Sequence, residues 1–227
     1  MAAGLGIVAA FPRLERAVAR RGGMPLIDLA LLSDKPFTRG LVAVFFFFFA
    51  NLSFYLVMTI YMQKGLQIPP LQAGLVFLPL ALTFVIASRH SGIRAKHRGT
   101  LVLIEGCAVQ IAGLAALVMA VEWADAPSAV LALVLTIFGY GQGLVMAPLS
   151  SAVLSTVKPV SAGAASGIYG TTAQIANAAG VAAIGAVFFA IESNQSSRLA
   201  LLAACALFTL SIIACAAFLT WMRRVTG

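Results

Sequence analysis

The sequence predicts an all-α, polytopic membrane protein whose six transmembrane helices form two inverted three-helix repeats. Three observations lead there. Of 227 residues, 61% are hydrophobic and only 10% are charged, against roughly 25% charged in an ordinary soluble domain, so the chain cannot present a wettable exterior. Apolar runs of about 18 or more residues recur, each able to cross a hydrocarbon core of roughly 30 Å as a helix. The pentapeptide PLQAG at 70–74 also returns as PVSAG at 159–163, both of the form P-x-x-A-G and 89 residues apart.

The elements follow in order. Residues 1–12, MAAGLGIVAAFP, are apolar but too short to span, and the basic run RLERAVARR follows them instead of preceding them. That is the reverse of a signal peptide. The segment reads as the end of a preceding transmembrane helix, with an interfacial helix as the alternative. Residues 13–40 form a basic linker. Spans are expected at 41–62, 71–87 and 100–121, making one repeat over 41–122. A second repeat, 123–227, holds spans at 129–149, 163–191 and 199–222 and a short tail. Each P-x-x-A-G stands at the first turn of a span, where a proline leaves no hydrogen bond unmade. Pro79 and Pro148 are expected to bend their helices, and the run of five phenylalanines at 45–49 fills space toward lipid and neighbours. Tyr61, Trp123 and Trp221 fall near span ends, as an aromatic belt does. Cys107, Cys205 and Cys215 lie inside apolar runs, which points to packing and away from a disulfide framework.

Charge sets the orientation. If the side preceding the first span is inside, thirteen of the fifteen Lys and Arg residues are inside, and only Lys64 and Arg198 are outside. The positive-inside rule then places both termini in the cytoplasm, and the expected location is the cell membrane, a bacterial inner membrane fitting best. The densest cluster, SGIRAKHRG at 91–99, becomes a cytoplasmic loop, with Arg89, Arg94, Lys96 and Arg98 as its basic residues. A net charge of +8 would raise nucleic acid as a partner in a soluble protein. Here the charges sit at membrane borders without an aromatic platform, and nucleic acid is excluded. Because the first triplet enters from inside and the second from outside, the two repeats are inverted, an arrangement found in transporters.

Several stretches also resemble a known family. PLIDLALLSDKPFTRG (25–40), YMQKGLQIPPLQAGLVFLPLA (61–81) and the long run from GYGQG at 139 to FF at 189 are similar to the C-terminal six-helix half of fourteen-helix drug:proton antiporters of the major facilitator superfamily. The resemblance covers residues 14–224. It implies alternating access, no chemistry on the substrate, no cofactor, a hydrophobic or cationic small-molecule substrate, and coupling to protons. It also implies that the N-terminal half, which holds the antiporter motif in that family, is absent, so the chain is expected to need such a half or a second copy. The alternative is a truncated, non-transporting fragment. In the family, the loop matching 91–99 often carries an acid as well; here Gly92, Gly99 and the basic residues remain without one.

Candidate residues follow from chemistry and from the resemblance. Glu105 is the one acid within a span, and an intramembrane carboxylate is a candidate for proton coupling; its depth of about 8 Å also lets it pair with Arg98. Asn51 and Tyr55 share a face of the first span, and Tyr140 and Gln142 lie midway along the fourth. The resemblance makes both helices cavity-lining, so these four are candidates for a substrate wall, with interhelical hydrogen bonding as the other reading. Gly139, Gly143 and Pro148, then Gly163, Gly167, Gly170, Gln174 and Asn177, are candidates for close helix packing or for a gate against the missing half. Gln63, at the outer end of the first span, matches a position of the resembling family, with an interfacial cap as the other reading. GYGQG lacks the spacing and the strand–helix setting of a dinucleotide loop. AASG at 164–167 is loosely similar to the serine motif of rhomboid proteases, yet Ser166 has no base at membrane depth, since the two histidines are His90 and His97. No spacing of His, Cys and carboxylates suits a metal.

Overall fold

The computed structural model describes residues 29–123 and 127–226. The apolar segment 1–12, the basic residues from Arg13 to Arg21, Asp125 and the Trp123 side chain lie outside them. Six long helices follow one another: α1 (Lys35–Ile60), α2 (Pro70–Arg98), α3 (Leu101–Trp123), α4 (Ser128–Leu154), α5 (Ala162–Asn194) and α6 (Ser197–Thr226). A 3₁₀ turn at Leu29–Ser33 precedes α1, a π-helical turn at Tyr61–Gly65 ends it, and a 3₁₀ turn at Pro159–Ser161 leads into α5. All six are long and apolar enough to cross a membrane, and the chain is a multi-pass membrane protein.

The packing follows a simple scheme. α1 packs on α5 and α6, and α4 packs on α2 and α3. Exchanging the first triplet for the second leaves this scheme unchanged, as two copies of one unit require. Small residues make the closest approaches. A Cβ on Gly139 would lie 2.5 Å from the Leu80 carbonyl oxygen, and one on Gly143 would overlap that of Phe84, so both glycines seat α4 against α2. Gly180 does the same for α5 against the Phe49 carbonyl of α1. At the centre, Phe54 of α1 stacks on Phe138 of α4 with ring centroids 4.0 Å apart, and Phe208 of α6 meets Phe54 edge-on.

Three expectations need correction. SGIRAKHRG is not a loop, because α2 continues through Arg98 and only Gly99 and Thr100 turn the chain. Nothing between Pro79 and Gly99 breaks a helix, and Lys96 and Arg98 in the last turn sit favourably at the negative end of its dipole. Gly99 stops it at φ 54°, where a glycine carries no steric penalty. Tyr61 is buried instead of lying in an interfacial belt. The glycines 163, 167 and 170 make no close packing within the described residues, since a Cβ on any of them would meet nothing within 4 Å, which leaves only the expected gate or contact against another half.

Coverage is uneven. In the most apolar stretch of α2 and of α5, 22% and 28% of residues are buried, against 44–56% in the other four helices. The uncovered face of α2 is aliphatic, with Leu71, Leu75, Leu78 and Leu82 exposed. That of α5 is made largely of glycine and alanine, with Ser166, Thr171 and Gln174 among them and Ile175, Val187 and Phe189 as its large apolar side chains.

Candidate functional site

Two hydrogen-bonded pairs of polar side chains lie where α1, α3 and α4 meet. Tyr55 donates its hydroxyl to Gln142 Oε1 at 2.6 Å, bridging α1 and α4. One turn away on the same face of α1, Asn51 anchors its Nδ2 on the Phe47 carbonyl at 2.7 Å. That leaves Asn51 Oδ1 as acceptor for a long contact of 3.5 Å from Gln110 Nε2 on α3. Asn51 and Gln142 are each 5% exposed and Gln110 is fully buried. The backbone explains how Gln110 comes so close: a Cβ on Gly141 would stand 2.6 Å from the Gln110 nitrogen, and one on Gly106 would be 2.9 Å from the Gly141 oxygen. Two glycines facing each other thus draw α3 onto α4. Among the described residues Gln110 Oε1 has no hydrogen-bond partner, which costs roughly 1–3 kcal/mol for a buried acceptor.

The Tyr55–Gln142 bond forms part of the wall of an open cavity of about 320 Å³, completed by Phe77, Leu80, Ala81, Phe84 and Met146. Two phenylalanine rings, a phenol, a thioether and one amide make a lining that is apolar with a single polar edge. Such a wall holds a flat apolar molecule by dispersion, orients it with one or two hydrogen bonds, and attracts a cation through its ring faces. Among the described residues no charged side chain lines it.

The other candidates are dispersed. Tyr140 turns away from this cavity and packs against Ala87, Val102 and Leu144, its ring 6.5 Å from that of His90. The Glu105 carboxylate is clamped between Arg94 at 2.6 Å and Arg98 at 2.8 Å, all three about half-exposed. The acid missing from the 91–99 segment is therefore supplied by the next helix. Arg89 is exposed on α2. Lys96 and Pro148 border a second cavity of about 650 Å³, with Ser151, Ser155 and Thr100. Along α5, Gly163, Gly167, Gly170 and Gln174 are exposed and Asn177 partly so. Among the described residues there is no group of three or more potential metal ligands.

Reading the sequence missed Gln110, although one signal was present: a lone amide in the middle of the apolar run 101–121. It also missed Thr83, whose hydroxyl lies within hydrogen-bond reach of the Thr136 carbonyl of α4 at 3.0 Å as well as of the Pro79 and Leu80 carbonyls of its own helix.

The sequence profile of the Major Facilitator Superfamily matches residues 1–181. Among curated proteins, the chain is 27% identical over 212 residues to the Probable actinorhodin transporter of Streptomyces coelicolor, covering 87% of this chain and 35% of that protein. It is 31% identical over 172 residues to the Drug efflux pump JefA of Mycobacterium tuberculosis, covering 74% and 32%. To the Multidrug resistance protein Stp of the same organism it is 28% identical over 173 residues, covering 75% and 32%. The chain spans about a third of the length of the curated relatives it matches.

Proposed function

The chain belongs to the Major Facilitator Superfamily, and from that premise we propose that it is the C-terminal six-helix half of a proton-coupled multidrug efflux transporter. Its part in transport is to supply one wall of the substrate path, and no bond in the substrate is made or broken. The observation that carries this reading is the Tyr55–Gln142 bond on the open apolar cavity. A polar tie between α1 and α4 at the edge of an aromatic surface suits a transporter of hydrophobic cations, and relatives named as a drug efflux pump and a multidrug resistance protein support a drug as substrate. The basic ends of α1 and α2 support an inner-membrane orientation with both termini cytoplasmic.

The same reading assigns proton coupling elsewhere. Glu105 already carries two arginine partners at the end of its helix, so its role is to clamp α2 to α3, and the coupling carboxylate comes from the partner half. A second reading, a fragment that does not transport until a partner half covers it, is favoured by the bare faces of α2 and α5. One experiment separates the two. The chain is expressed in a strain stripped of efflux pumps, and accumulation of a fluorescent cationic dye is followed with and without an uncoupler. Uncoupler-sensitive loss of dye supports transport by paired copies or with a host partner. Unchanged accumulation despite membrane insertion supports the fragment.

A further inference from the structure

The seam between α1 and α6 carries a feature that the cavity does not use. Arg39, near the start of α1, lays its guanidinium 3.7 Å over the ring of Trp221 on α6. Trp221 in turn meets Phe218 at 5.9 Å, and Phe218 stacks on Phe46 at 6.1 Å with planes 16° apart. Phe46 is also one wall of an open apolar groove of about 330 Å³ between α1, α5 and α6, shared with Phe49, Val187 and Leu210. A single cation therefore heads a continuous track that is first aromatic and then aliphatic. From Arg39 to Phe49 the helix rises about 15 Å, half the thickness of a hydrocarbon core.

This guanidinium lacks an anionic partner among the described residues: the arginines 94, 98 and 198 each hold a carboxylate, whereas Arg39 does not. Its Nη1 is sealed from solvent with no acceptor among the described residues. Stacking on the indole fixes the plane of the group, whose side chain is half-buried. A guanidinium held in a fixed plane is a strong charge-assisted donor to a phosphodiester oxygen. Lys35, four residues earlier on the same face of α1, is exposed and adds a second positive charge. Trp221 itself is 48% exposed, so the stack opens toward the surrounding medium and is not closed into the bundle.

We propose that this seam binds one anionic phospholipid, its phosphate held by Arg39 over Trp221 and one acyl chain lying along Phe218, Phe46 and the groove beyond. The assignment rests on the orientation that puts the start of α1 at the cytoplasmic leaflet. It is independent of whether the chain transports.

The full chain, purified in mild detergent, is examined by native mass spectrometry with added dioleoyl phosphatidylglycerol or dioleoyl phosphatidylcholine, which share acyl chains and differ in headgroup charge. The expected result is one retained phosphatidylglycerol, held about tenfold better than phosphatidylcholine. Arg39→Gln removes that preference, and millimolar inorganic phosphate does not displace the lipid. Equal retention of phosphatidylglycerol by Arg39→Gln and the unaltered chain overturns the proposal. Displacement by phosphate also overturns it, reducing the site to a free-anion site. A circular-dichroism melt in the same detergent reads whether Arg39→Gln folds. If it does not, Trp221→Leu carries the test: it keeps the cation and removes its platform, and an unchanged lipid preference there refutes the assignment.

Discussion

Two glycine-to-alanine substitutions, one on each of two helices, should act in opposite directions. At Gly143 of α4 a Cβ would overlap the Phe84 carbonyl oxygen, lie 2.8 Å from Ala87 Cβ and stand 3.1 Å from the Ser88 nitrogen. These atoms are backbone or the stub of a side chain, so α2 as a whole must shift. Overpacking costs about 1–3 kcal/mol, and a backbone clash belongs at the upper end. Better helix propensity returns about 1 kcal/mol, so Gly143→Ala is expected to destabilise by about 2 kcal/mol. At Gly167 of α5 a Cβ meets nothing within 4 Å. Only the propensity gain remains, and Gly167→Ala is expected to stabilise by about 1 kcal/mol. Equilibrium unfolding of the purified chain in detergent, followed by circular dichroism, reads both. Effects of the same sign and similar size would refute the argument that Gly143 is a packing contact and Gly167 an open surface. Bulk at Gly167 has a second expected consequence. Gly167→Leu should leave the isolated chain stable while weakening whatever activity needs a partner on that face.

Other outcomes follow from the same geometry. Tyr55→Phe removes the donor to Gln142 and should cost about 0.6 kcal/mol in stability, with a several-fold loss in dye affinity measured by fluorescence titration. Gln110→Leu removes a buried acceptor that has no partner among the described residues, but also the long Nε2 contact to Asn51 Oδ1. The two effects oppose each other, and the net change in the same unfolding assay should stay within about 1 kcal/mol of zero. Glu105→Gln unpairs two half-exposed arginines and should cost no more than about 1 kcal/mol, an effect that shrinks in high salt. If dye efflux is uncoupler-sensitive, Glu105→Gln should retain that sensitivity, and its loss would return proton coupling to Glu105.

The six helices were legible because burial in a membrane is written as unbroken apolar length, and the six expected spans correspond one to one with α1–α6. Ends were less legible. Hydropathy falls after Ala87 in α2, but nothing in the next eleven residues breaks a helix, so the chain stays helical through Arg98. The glycines show another limit. Gly139 and Gly163 look alike in sequence as members of small-residue stripes, yet one lies against Leu80 and the other faces nothing. Which stripe finds a neighbour depends on how the two triplets pair, and no local pattern encodes that. Similarly, Asn51, Tyr55 and Gln142 converge near the α1–α4 contact, while Tyr140, two residues from Gln142, turns toward His90. A two-residue step rotates a side chain by about 200° around a helix, so Tyr140 and Gln142 face different neighbours, and Asn51, a turn from Tyr55, is buried against Gln110 and is not part of the cavity lining.

The central claim is that the surface around Tyr55 and Gln142 is a wall that takes hydrophobic cations. Binding of a fluorescent lipophilic cation to the purified chain in lipid nanodiscs, read by anisotropy, tests it most directly. Saturable binding that weakens about tenfold in both Tyr55→Ala and Gln142→Ala, while Tyr140→Ala binds as the unaltered chain does, is the result expected here. Absence of saturable binding by the folded chain, or equal affinity in all three variants, would contradict it.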